Sequence, residues 1–527
     1  MLATLMTAVV SGLRGELVRV EVDVAPGLPV CHIVGLPDTA LSEARERVRG
    51  AIRNSGFEYP ASRITVNLAP ADRRKHGAAY DLAIAIGILV ASGQIRASGG
   101  PWALLGELSL SGRLEAIAGV LPMVATLRRA GYSRVAVPAA NVAEASLVDN
   151  MAAVGVDRLD DAARLVAGPR GRRAGSAEVR PSVEVSGPRH AAEGSGRGGS
   201  LVAGSETVDL REVKGQAHAR WALEVALAGE HNLLLIGPPG AGKTLLARAI
   251  PGLLPPLEDE EALEVTVIES VAGLLDALAA LRRDRPFRAP HHTSSYAALV
   301  GGGPRLSPGE VTLAHRGVLL LDELAEFDRD VLDALRQPLE EGAVVISRAA
   351  GQVRYPARLQ LVAAMNPCRC GYHGDVERAC RCAPGEAARY VRRVSGPLID
   401  RLDLCVEMGR VPTNDLLDMR PAEDSATVAL RVGVARAMGL ARNDGRPNAR
   451  LTGGAALRAC ALDAAARDRL ADLATHGALS ARGVHRVLRV ARSVADLEGR
   501  IRVDEAAVLA AANLRDPAGD LTPSLAA

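Results

Sequence analysis

The chain has 527 residues, of which 48% are hydrophobic and 24% charged, the composition of a globular protein with about two to four domains. Its formal net charge of +2 excludes a broadly basic surface, so any contact with nucleic acid must come from local clusters of arginine. Aromatic residues make up only 2%, so stacking platforms for single-stranded bases are few.

The sequence contains no apolar run long enough to span a membrane, and its first residues, MLATLMTAVVSGLRG, lack a basic segment before their short apolar stretch. We therefore expect a cytoplasmic protein that begins with a β-strand and makes no membrane contact. Seven cysteines, an odd number, do not resemble a secreted disulfide framework and favour a reducing compartment.

Residues 1–167 alternate short β-rich runs, such as RITVNLA, with alanine-rich helical stretches, such as YDLAIAIGILVAS, which predicts a compact α/β domain. Residues 168–204 are rich in Gly, Ser, Pro and Arg, and we predict a flexible solvated linker there; the alternative is a basic arm that binds nucleic acid.

Helices and strands alternate again in residues 205–412. Residues 413–515 form an Ala-, Leu- and Arg-rich helical region, and residues 516–527 form a frayed tail.

A glycine-rich stretch between the apolar strand LLLI and the helix TLLARAI matches the phosphate-loop pattern G-x-x-x-x-G-K-[ST] without a mismatch. Its residues are Gly237, Pro238, Pro239, Gly240, Ala241, Gly242, Lys243 and Thr244. The glycines let backbone N–H groups turn inward around phosphate oxygens at a helix N-terminus. The compact ammonium of Lys243 can reach between the β- and γ-phosphates, where a planar guanidinium is too wide, and Thr244 can ligate Mg²⁺. The stretch therefore predicts a site for ATP and Mg²⁺, the alternative being a glycine-rich turn before a helix.

Two further strands end in polar residues that suit ATP hydrolysis. RGVLLLDE ends in Asp322 and Glu323, where one carboxylate can hold hydrated Mg²⁺ and the next can orient and deprotonate the attacking water. LQLVAAMN ends in Asn366, whose amide can hydrogen-bond the γ-phosphate or the water. Each of them alone could instead be an ordinary strand end.

Two arginines are candidates for completing the site. Arg401, in GPLIDRLDL, follows a turn on a predicted subunit edge and could reach the γ-phosphate bound by a neighbouring subunit. Arg482, in LSARGVHRVLRVAR, opens a helix of the C-terminal region and could contact the nucleotide from above. From the residues alone, a surface charge at the first position and a solvent-facing helix residue at the second remain open alternatives.

Four cysteines form a C-x-C…C-x-C pattern in a loop that also contains glycine and charged residues: Cys368, Cys370, Cys380 and Cys382. Four thiolates match a tetrahedral structural Zn²⁺ site, although the usual spacing within each pair is C-x₂-C. Reduced free thiols are the alternative.

With the stretches FRAPHHTSSYAALVGGG, GEVTLAHRGVLLLDELAEF, AAMNPCRCGYHGD and VSGPLIDRLDLCVE, these motifs make nearly the whole chain similar to the magnesium-chelatase-like AAA+ ATPases of the ComM/YifB family. The resemblance implies an α/β fold: an N-terminal domain like that of Lon protease and ribosomal protein S5, an AAA+ P-loop core with a parallel sheet, and a C-terminal helical lid. It also implies a homo-hexameric ring with ATP sites between protomers. The implied residue roles are Walker A for Lys243 and Thr244, Walker B for Asp322 and Glu323, sensor 1 for Asn366, arginine finger for Arg401 and sensor 2 for Arg482.

The substrate that the resemblance implies is DNA, with helicase or branch-migration activity in recombination during natural transformation. One alternative is an ATPase subunit of the magnesium-chelatase type, which remodels a partner protein; such subunits generally lack the Lon-like domain and the cysteine cluster. Another is a different protein-remodelling ATPase. The aromatic residues that peptide-threading motors use to grip are scarce here, since the two pore insertions contain only Tyr296 and Tyr355.

The N-terminal domain is predicted to be proteolytically inactive. In Lon proteases a serine and a lysine supply the nucleophile and its base. The matching stretches KHGAAYD and AGVLPM place Ala79 and Leu121 at those positions. We therefore expect a collar for assembly or for guiding substrate.

The stretches RAPHHTSSYAALVGGG and VVISRAAGQVRYPARL resemble the two insertions of this AAA+ branch that project toward the pore, and the second predicts a β-hairpin. Their basic residues are candidates for contacts with DNA phosphates without base readout, and they suit a duplex backbone at least as well as a single strand. The candidates are Arg288, His291, His292, Arg348 and Arg354. The alternative is that these charges stabilise the ring interface.

Overall fold

The computed structural model describes residues 1–34, 39–70, 77–98, 100–168, 208–275, 280–303, 306–348, 351–375, 377–412, 422–476 and 479–515. The predicted linker at 168–204, apart from its first residue, and the predicted tail at 516–527 lie outside these ranges. Of the helices within them, none is long and apolar enough to cross a membrane.

A seven-stranded sheet forms the centre of the N-terminal domain. The strands of this domain are β1 (Leu2–Ser11), β2 (Arg14–Ala25), β3 (Val30–Val34), β4 (Arg63–Ala69), β5 (Ala103–Leu104), β6 (Glu107–Leu108), β7 (Leu114–Glu115), β8 (Arg134–Pro138) and β9 (Ala152–Val156). The sheet has the order β3-β4-β2-β1-β5-β8-β9, and β6 pairs with β7. Strands β1 and β2 form an antiparallel hairpin, whereas β1, β5, β8 and β9 are parallel neighbours.

Helices cover this sheet and complete the predicted α/β domain. They are α1 (Thr39–Asn54), α2 (Asp81–Ala91), α3 (Val120–Arg129), α4 (Val142–Ala145) and α5 (Leu159–Ala167). Helix α2, DLAIAIGILVA, is apolar around nearly its whole circumference because it is enclosed by β1, β2, α1 and α5. Ala79 and Leu121, which the sequence predicts to stand at the positions of the Lon catalytic pair, are both buried in this domain.

The second domain is built on a parallel sheet. Its strands are β10 (Leu233–Ile236), β11 (Phe287–Arg288), β12 (Gly301–Gly302), β13 (Ser307–Pro308), β14 (Val318–Leu321), β15 (Ala343–Arg348), β16 (Gly351–Pro356), β17 (Gln360–Met365) and β18 (Leu404–Glu407). Five of them form a sheet in the order β11-β14-β17-β10-β18, with parallel pairing throughout. The runs LLLI, VLLL and QLVAAM are buried along their whole length because both faces of the sheet are covered. Strands β15 and β16 form the hairpin that the sequence predicts.

The helices of the second domain and the C-terminal region surround this sheet. They are α6 (Ala217–Gly229), α7 (Lys243–Arg248), α8 (Asp259–Ala272), α9 (Tyr296–Val300), α10 (Glu310–Leu313), α11 (Arg329–Ala334), α12 (Arg336–Glu341), α13 (Glu386–Val391), α14 (Gly396–Ile399), α15 (Ser425–Arg442), α16 (Gly453–Cys460), α17 (Ala464–His476), α18 (Ala481–Leu497) and α19 (Glu505–Asn513). The strongly amphipathic α18 packs its apolar face against α6, α15, α16 and α19. The helical C-terminal region therefore shares a continuous core with the sheet domain.

The N-terminal domain contacts the sheet domain through α8 and the hairpin. The buried carboxylate of Glu144 accepts hydrogen bonds from the Leu121 N–H (2.8 Å) and from the Ser270 hydroxyl of α8. The Gly119 N–H donates to the Ser270 carbonyl (2.8 Å). At the β1–β2 turn, Leu13 packs against the apolar cluster that contains the hairpin. The position of α8 is therefore linked to that of the N-terminal domain.

Candidate ATP site

The phosphate loop leaves the carboxyl end of β10 and enters α7. Gly240 and Gly242 have φ angles of +81° and +90°, which side chains with a Cβ rarely adopt. A Cβ at Gly237 would lie 2.2 Å from the Met408 carbonyl oxygen, so only glycine fits there. Between these glycines the Ala241 N–H donates to the Pro238 carbonyl (3.2 Å). The local sequence therefore forms the tight turn that a phosphate-binding loop requires.

Lys243 is the first residue of α7, and its side chain folds back over the loop. It is only 8% exposed, and burial lowers the pKa of its ammonium. The Nζ atom donates to the carbonyls of Gly237 (2.7 Å) and Pro238 (3.0 Å) and to Asn366 Oδ1 (3.1 Å). All three donors of the ammonium are thus used by the two loop carbonyls and Asn366, and these contacts hold the compact cation at the mouth of the loop.

Thr244 and Asp322 form a pair of oxygen donors beside the loop. The Thr244 hydroxyl donates to Asp322 Oδ2 at 2.6 Å. Asp322 follows β14, and the parallel strand β17 lies between β14 and β10, so the two side chains meet at one edge of the sheet. A hydroxyl and a carboxylate are hard ligands of the kind that Mg²⁺ binds together with nucleotide phosphates. The residues present therefore fit a magnesium ion that is bound with the nucleotide.

Glu323 lies next to this pair and has a left-handed backbone conformation. Its φ is +55°, its N–H donates to Asp322 Oδ1 (2.9 Å), and its side chain is 57% exposed. His292 Nδ1 lies 3.0 Å from Glu323 Oε2, and the ring of His292 stands edge-on to Phe327. The carboxylate is thus accessible to water and also contacts the segment that follows β11.

Asn366 follows β17 and reaches the phosphate loop through its contact with Lys243. The structure therefore brings together, at the carboxyl edge of the sheet, the residues predicted for ATP, Mg²⁺ and the attacking water. They are the phosphate loop, Asp322, Glu323 and Asn366.

The two predicted arginines lie together at the opposite, amino edge of the sheet. Arg401 and Arg482 line one cavity of about 590 Å³ with Asn232, the residue that immediately precedes β10. The four residues of β10 separate the two edges by about 13 Å. Within one subunit, Arg482 therefore lies at the edge opposite the phosphate loop, because the packing of α18 directs the N-terminus of that helix to the amino edge. Its contact with a nucleotide stays a prediction.

The cavity at the amino edge is rich in charge. The Arg401 guanidinium donates to the carbonyl of Pro397 and to the carboxylate of Glu340. Arg482 is exposed at the first turn of α18. The same cavity is lined by Arg486 and Arg489, whose guanidinium groups lie 3.5 Å from Asp400 and 3.3 Å from Asp403. With Arg482 they occupy positions i, i+4 and i+7 on one face of α18, but the sequence contains so many arginines that this spacing is not a distinctive signal.

The four cysteines come together in the segment after β17. The Sγ atoms of Cys368 and Cys370 are 3.3 Å apart, Cys380 Sγ lies 3.8 Å and 3.5 Å from them, and all four sulfurs, with that of Cys382, lie within 4.8 Å of one another. Zn–S bonds of 2.3 Å in a tetrahedron place sulfurs about 3.8 Å apart. A hydrogen bond from the Arg381 N–H contributes to lowering the pKa of Cys370 to about 6. The donor set and its spacing therefore fit Zn²⁺.

The cysteine segment touches the phosphate loop directly. Gly371 has a φ of +86°, and a Cβ there would lie 2.5 Å from Pro239 Cδ. On its other side the segment is fixed by Asp375, whose carboxylate accepts from Arg410 (2.7 Å), while the Arg410 guanidinium lies over the Tyr372 ring. The fold of this segment thus determines what lies against the outer side of the phosphate loop.

The residues predicted to contact DNA differ in their partners and in their exposure to solvent. Arg288 forms a two-pronged ion pair with Glu310 (2.6 and 2.8 Å), which occupies its guanidinium inside the domain. His291 contacts the Thr293 hydroxyl, and His292 contacts Glu323. Arg354 is exposed on β16 of the hairpin, and the side chain of Arg348 lies outside the described residues. Of the described side chains in this set, those of His291 and Arg354 are exposed.

The five-stranded parallel sheet, the phosphate loop after β10, the acid pair after β14 and the polar residue after the strand between them define an AAA+ ATPase. Family models agree. Magnesium chelatase, subunit ChlI, matches residues 209–416; subunit ChlI of Mg-chelatase matches residues 20–141; and the ChlI C-terminal model matches residues 422–515. The predicted α/β fold class is confirmed.

Sequence comparison with individual proteins identifies the family. The chain is 42% identical to an uncharacterised protein, YifB, of Salmonella typhimurium, over 94% of each chain, and 41% identical to the competence protein ComM of Haemophilus influenzae, over 93% of each. It is 28% identical to the magnesium-chelatase 38 kDa subunit of Cereibacter sphaeroides, over 29% of this chain and 49% of that subunit. The chain therefore belongs to the ComM/YifB family of magnesium-chelatase-like AAA+ ATPases, and the resemblance noted in the sequence is confirmed.

Proposed function

We propose that this protein is a cytoplasmic, hexameric ring ATPase whose hydrolysis cycle remodels DNA. One observation supports the proposal of a ring. The phosphate-binding residues and the two arginines lie at opposite edges of one sheet, and the length of β10 separates these edges by about 13 Å. A single subunit cannot place both sets on one nucleotide. A head-to-tail ring places the amino edge of each subunit against the carboxyl edge of the next, so every site gains both.

In the proposed site, the phosphate loop and Lys243 hold the phosphates of ATP, and Thr244 and Asp322 hold Mg²⁺, which neutralises developing charge when bound. Glu323 accepts the proton of the attacking water, and Asn366 orients that water or the γ-phosphate. Arg401 and Arg482 of the adjacent subunit stabilise the charge on the γ-phosphate, a contact worth about 10³–10⁵ in rate where a finger acts in other ATPases and GTPases. Arg401 must then exchange Glu340 for phosphate on assembly.

The proposed substrate is DNA, and the proposed activity is helicase or branch migration in recombination during natural transformation. Two features support this proposal. The chain belongs to the same family as a competence protein, and Arg354 is exposed on the hairpin. A hairpin with an exposed cation and few aromatics suits contacts with a phosphate backbone. Hydrolysis that moves the hairpins of successive subunits would then move that backbone through the ring.

The magnesium-chelatase type of activity is the second candidate, because all three matching family models carry the ChlI description. The similarity to the Cereibacter subunit is confined to under a third of this chain, whereas the similarity to ComM and YifB extends over the N-terminal domain as well. An assay that offers both DNA and a protein client separates the two candidates.

The assay compares purified protein with ATP and Mg²⁺ alone and with branched DNA, linear duplex or an unfolded protein client. We expect branched DNA to raise the rate of hydrolysis and its strands to be exchanged, with stimulation that weakens as salt rises because phosphate contacts carry the binding. The Glu323→Gln variant is the control: it should bind the same DNA and move no strands. Stimulation by the protein client in the absence of any response to DNA would overturn the DNA proposal.

We also propose that the four cysteines hold a structural Zn²⁺. The contact between Gly371 and Pro239 supports a mechanical role for it. A metal at this position would fix the cysteine segment against the phosphate loop, so it would stabilise the nucleotide site without touching the nucleotide.

A further inference from the structure

Asn232 cross-links three chain segments at the amino edge of the sheet. Its Nδ2 donates to the Arg401 carbonyl (2.8 Å), and its Oδ1 accepts from the Leu361 N–H of β17 (2.8 Å). Its own carbonyl accepts from the N–H groups of Asp403 (2.9 Å) and Leu404 (3.0 Å). The two side-chain partners fix which amide atom is oxygen and which is nitrogen, because one partner only accepts and the other only donates.

The finger segment depends on these contacts for its position. Arg401 lies in the short connection between α14 and β18, outside any regular element. Its carbonyl is held by Asn232, and two residues on, the buried Asp403 carboxylate lies 3.3 Å from Arg489 and 3.5 Å from His231 Nδ1. The backbone that carries the guanidinium is thus fixed at Arg401 itself and two residues after it.

Strand β10 joins Asn232 to the phosphate loop of the same subunit. That strand is buried along its length and pairs in parallel with both β17 and β18. At its far end, Gly237 donates from its N–H to the Met365 carbonyl (3.3 Å), and Ile236 accepts from the Met408 N–H (2.7 Å). A strand that is paired on both sides is constrained in its position, so β10 is a direct structural connection between the phosphate loop and Asn232.

From this geometry we infer that Asn232 is a positioning residue for the arginine finger. It holds the Arg401 backbone in register with β10. It therefore links the ATP site at a subunit's own phosphate loop to the ATP site of the neighbouring subunit, which Arg401 serves. The inference rests on the proposed role of Arg401. Asn232 contacts no nucleotide; it acts through Arg401.

A double-mutant cycle in the full-length protein tests this. Asn232→Ala removes both side-chain hydrogen bonds, and Asn232→Asp keeps an acceptor for Leu361 but loses the donor to Arg401, so one variant remains informative if the other fails to fold. Each should lower kcat by about 10- to 100-fold, the effect of misplacing a catalytic group by about an ångström, while nucleotide affinity stays near that of the wild type. In the Arg401→Ala background the same changes should have almost no further effect on kcat.

Gln360→Ala is the matched control, because within the described part of the chain this buried amide at the same edge donates to the carbonyls of Ala226 and His231 and not to that of Arg401. Its effect on kcat should be equal in both backgrounds. A loss from Asn232→Ala that persists in full beside Arg401→Ala would overturn the inference and leave the finger role intact. Full activity of Arg401→Ala alone would contradict the proposed function itself, and the inference with it.

Discussion

At the scale of single residues, Lys243 illustrates how geometry selects one cation over another. The chain contains 63 lysines and arginines, and only three of these are lysine. Lys243 is buried with its Nζ within 3.1 Å of two loop carbonyls and Asn366. A planar guanidinium needs a wider space and a fixed fork of donors, so it cannot replace a point charge at this position.

We therefore expect Lys243→Arg to bind ATP nearly as poorly as Lys243→Ala, although it keeps the charge. Titration of each variant with a fluorescent ATP analogue measures this. Binding by Lys243→Arg at wild-type affinity would mean that charge, and not shape, is what the loop requires.

Glu323 should separate binding from hydrolysis. The Glu323→Gln variant keeps a side chain of the same size but cannot accept the proton of water, so its kcat should fall by about 10²–10⁴-fold with little change in nucleotide affinity. Single-turnover hydrolysis, measured beside equilibrium binding, tests both halves of this expectation. Wild-type turnover in Glu323→Gln would show that another group activates the water.

The residues of the ATP site differ in how far the sequence predicts them. Spacing alone identifies Lys243 and Thr244, because the loop is local and each position has one function. The ion pair between Arg288 and Glu310 joins residues 22 positions apart, and the contact of His292 with Glu323 spans 31, so both depend on the tertiary fold. The candidate DNA contacts were therefore the least predictable part of the site.

At the scale of elements, the segment between Asn366 and α13 determines what supports the phosphate loop. Its C-x-C spacing is unusual for zinc, and the sequence left reduced thiols open. The fold brings all four sulfurs within 4.8 Å and seats Gly371 against Pro239, neither of which spacing could reveal. Loss of a metal from this segment should therefore weaken the binding of ATP.

We expect protein purified without chelators to contain about one zinc per chain by mass spectrometry of the metal. Cys380→Ser should lose it, lower the melting temperature and raise the KM for ATP, because the support of the phosphate loop is weakened. Cys31→Ser, in the N-terminal domain, is the control and should retain the metal. Wild-type protein that is free of zinc yet stable and active would contradict the assignment.

At the scale of the whole molecule, the fold class followed from periodicity and the phosphate loop, but the orientation of the C-terminal helices did not. The N-terminus of α18 carries Arg482, and its direction depends on how that helix packs against α6, α15, α16 and α19. Such packing is a property of many distant side chains. It places both arginines at the amino edge. Under the roles proposed for them, a single subunit is therefore incomplete as an ATPase.

Mixing two strongly impaired variants tests this incompleteness most directly. In rings formed from equal amounts of Lys243→Ala and Arg401→Ala subunits, about a quarter of the interfaces pair an intact phosphate loop with an intact finger. We predict that the mixture regains ATPase activity well above that of either variant alone. A mixture of Lys243→Ala with Glu323→Gln should regain none, since both defects lie on the same side of the interface. Failure of the first mixture to regain activity, with subunit exchange demonstrated, would contradict an ATP site shared between neighbours.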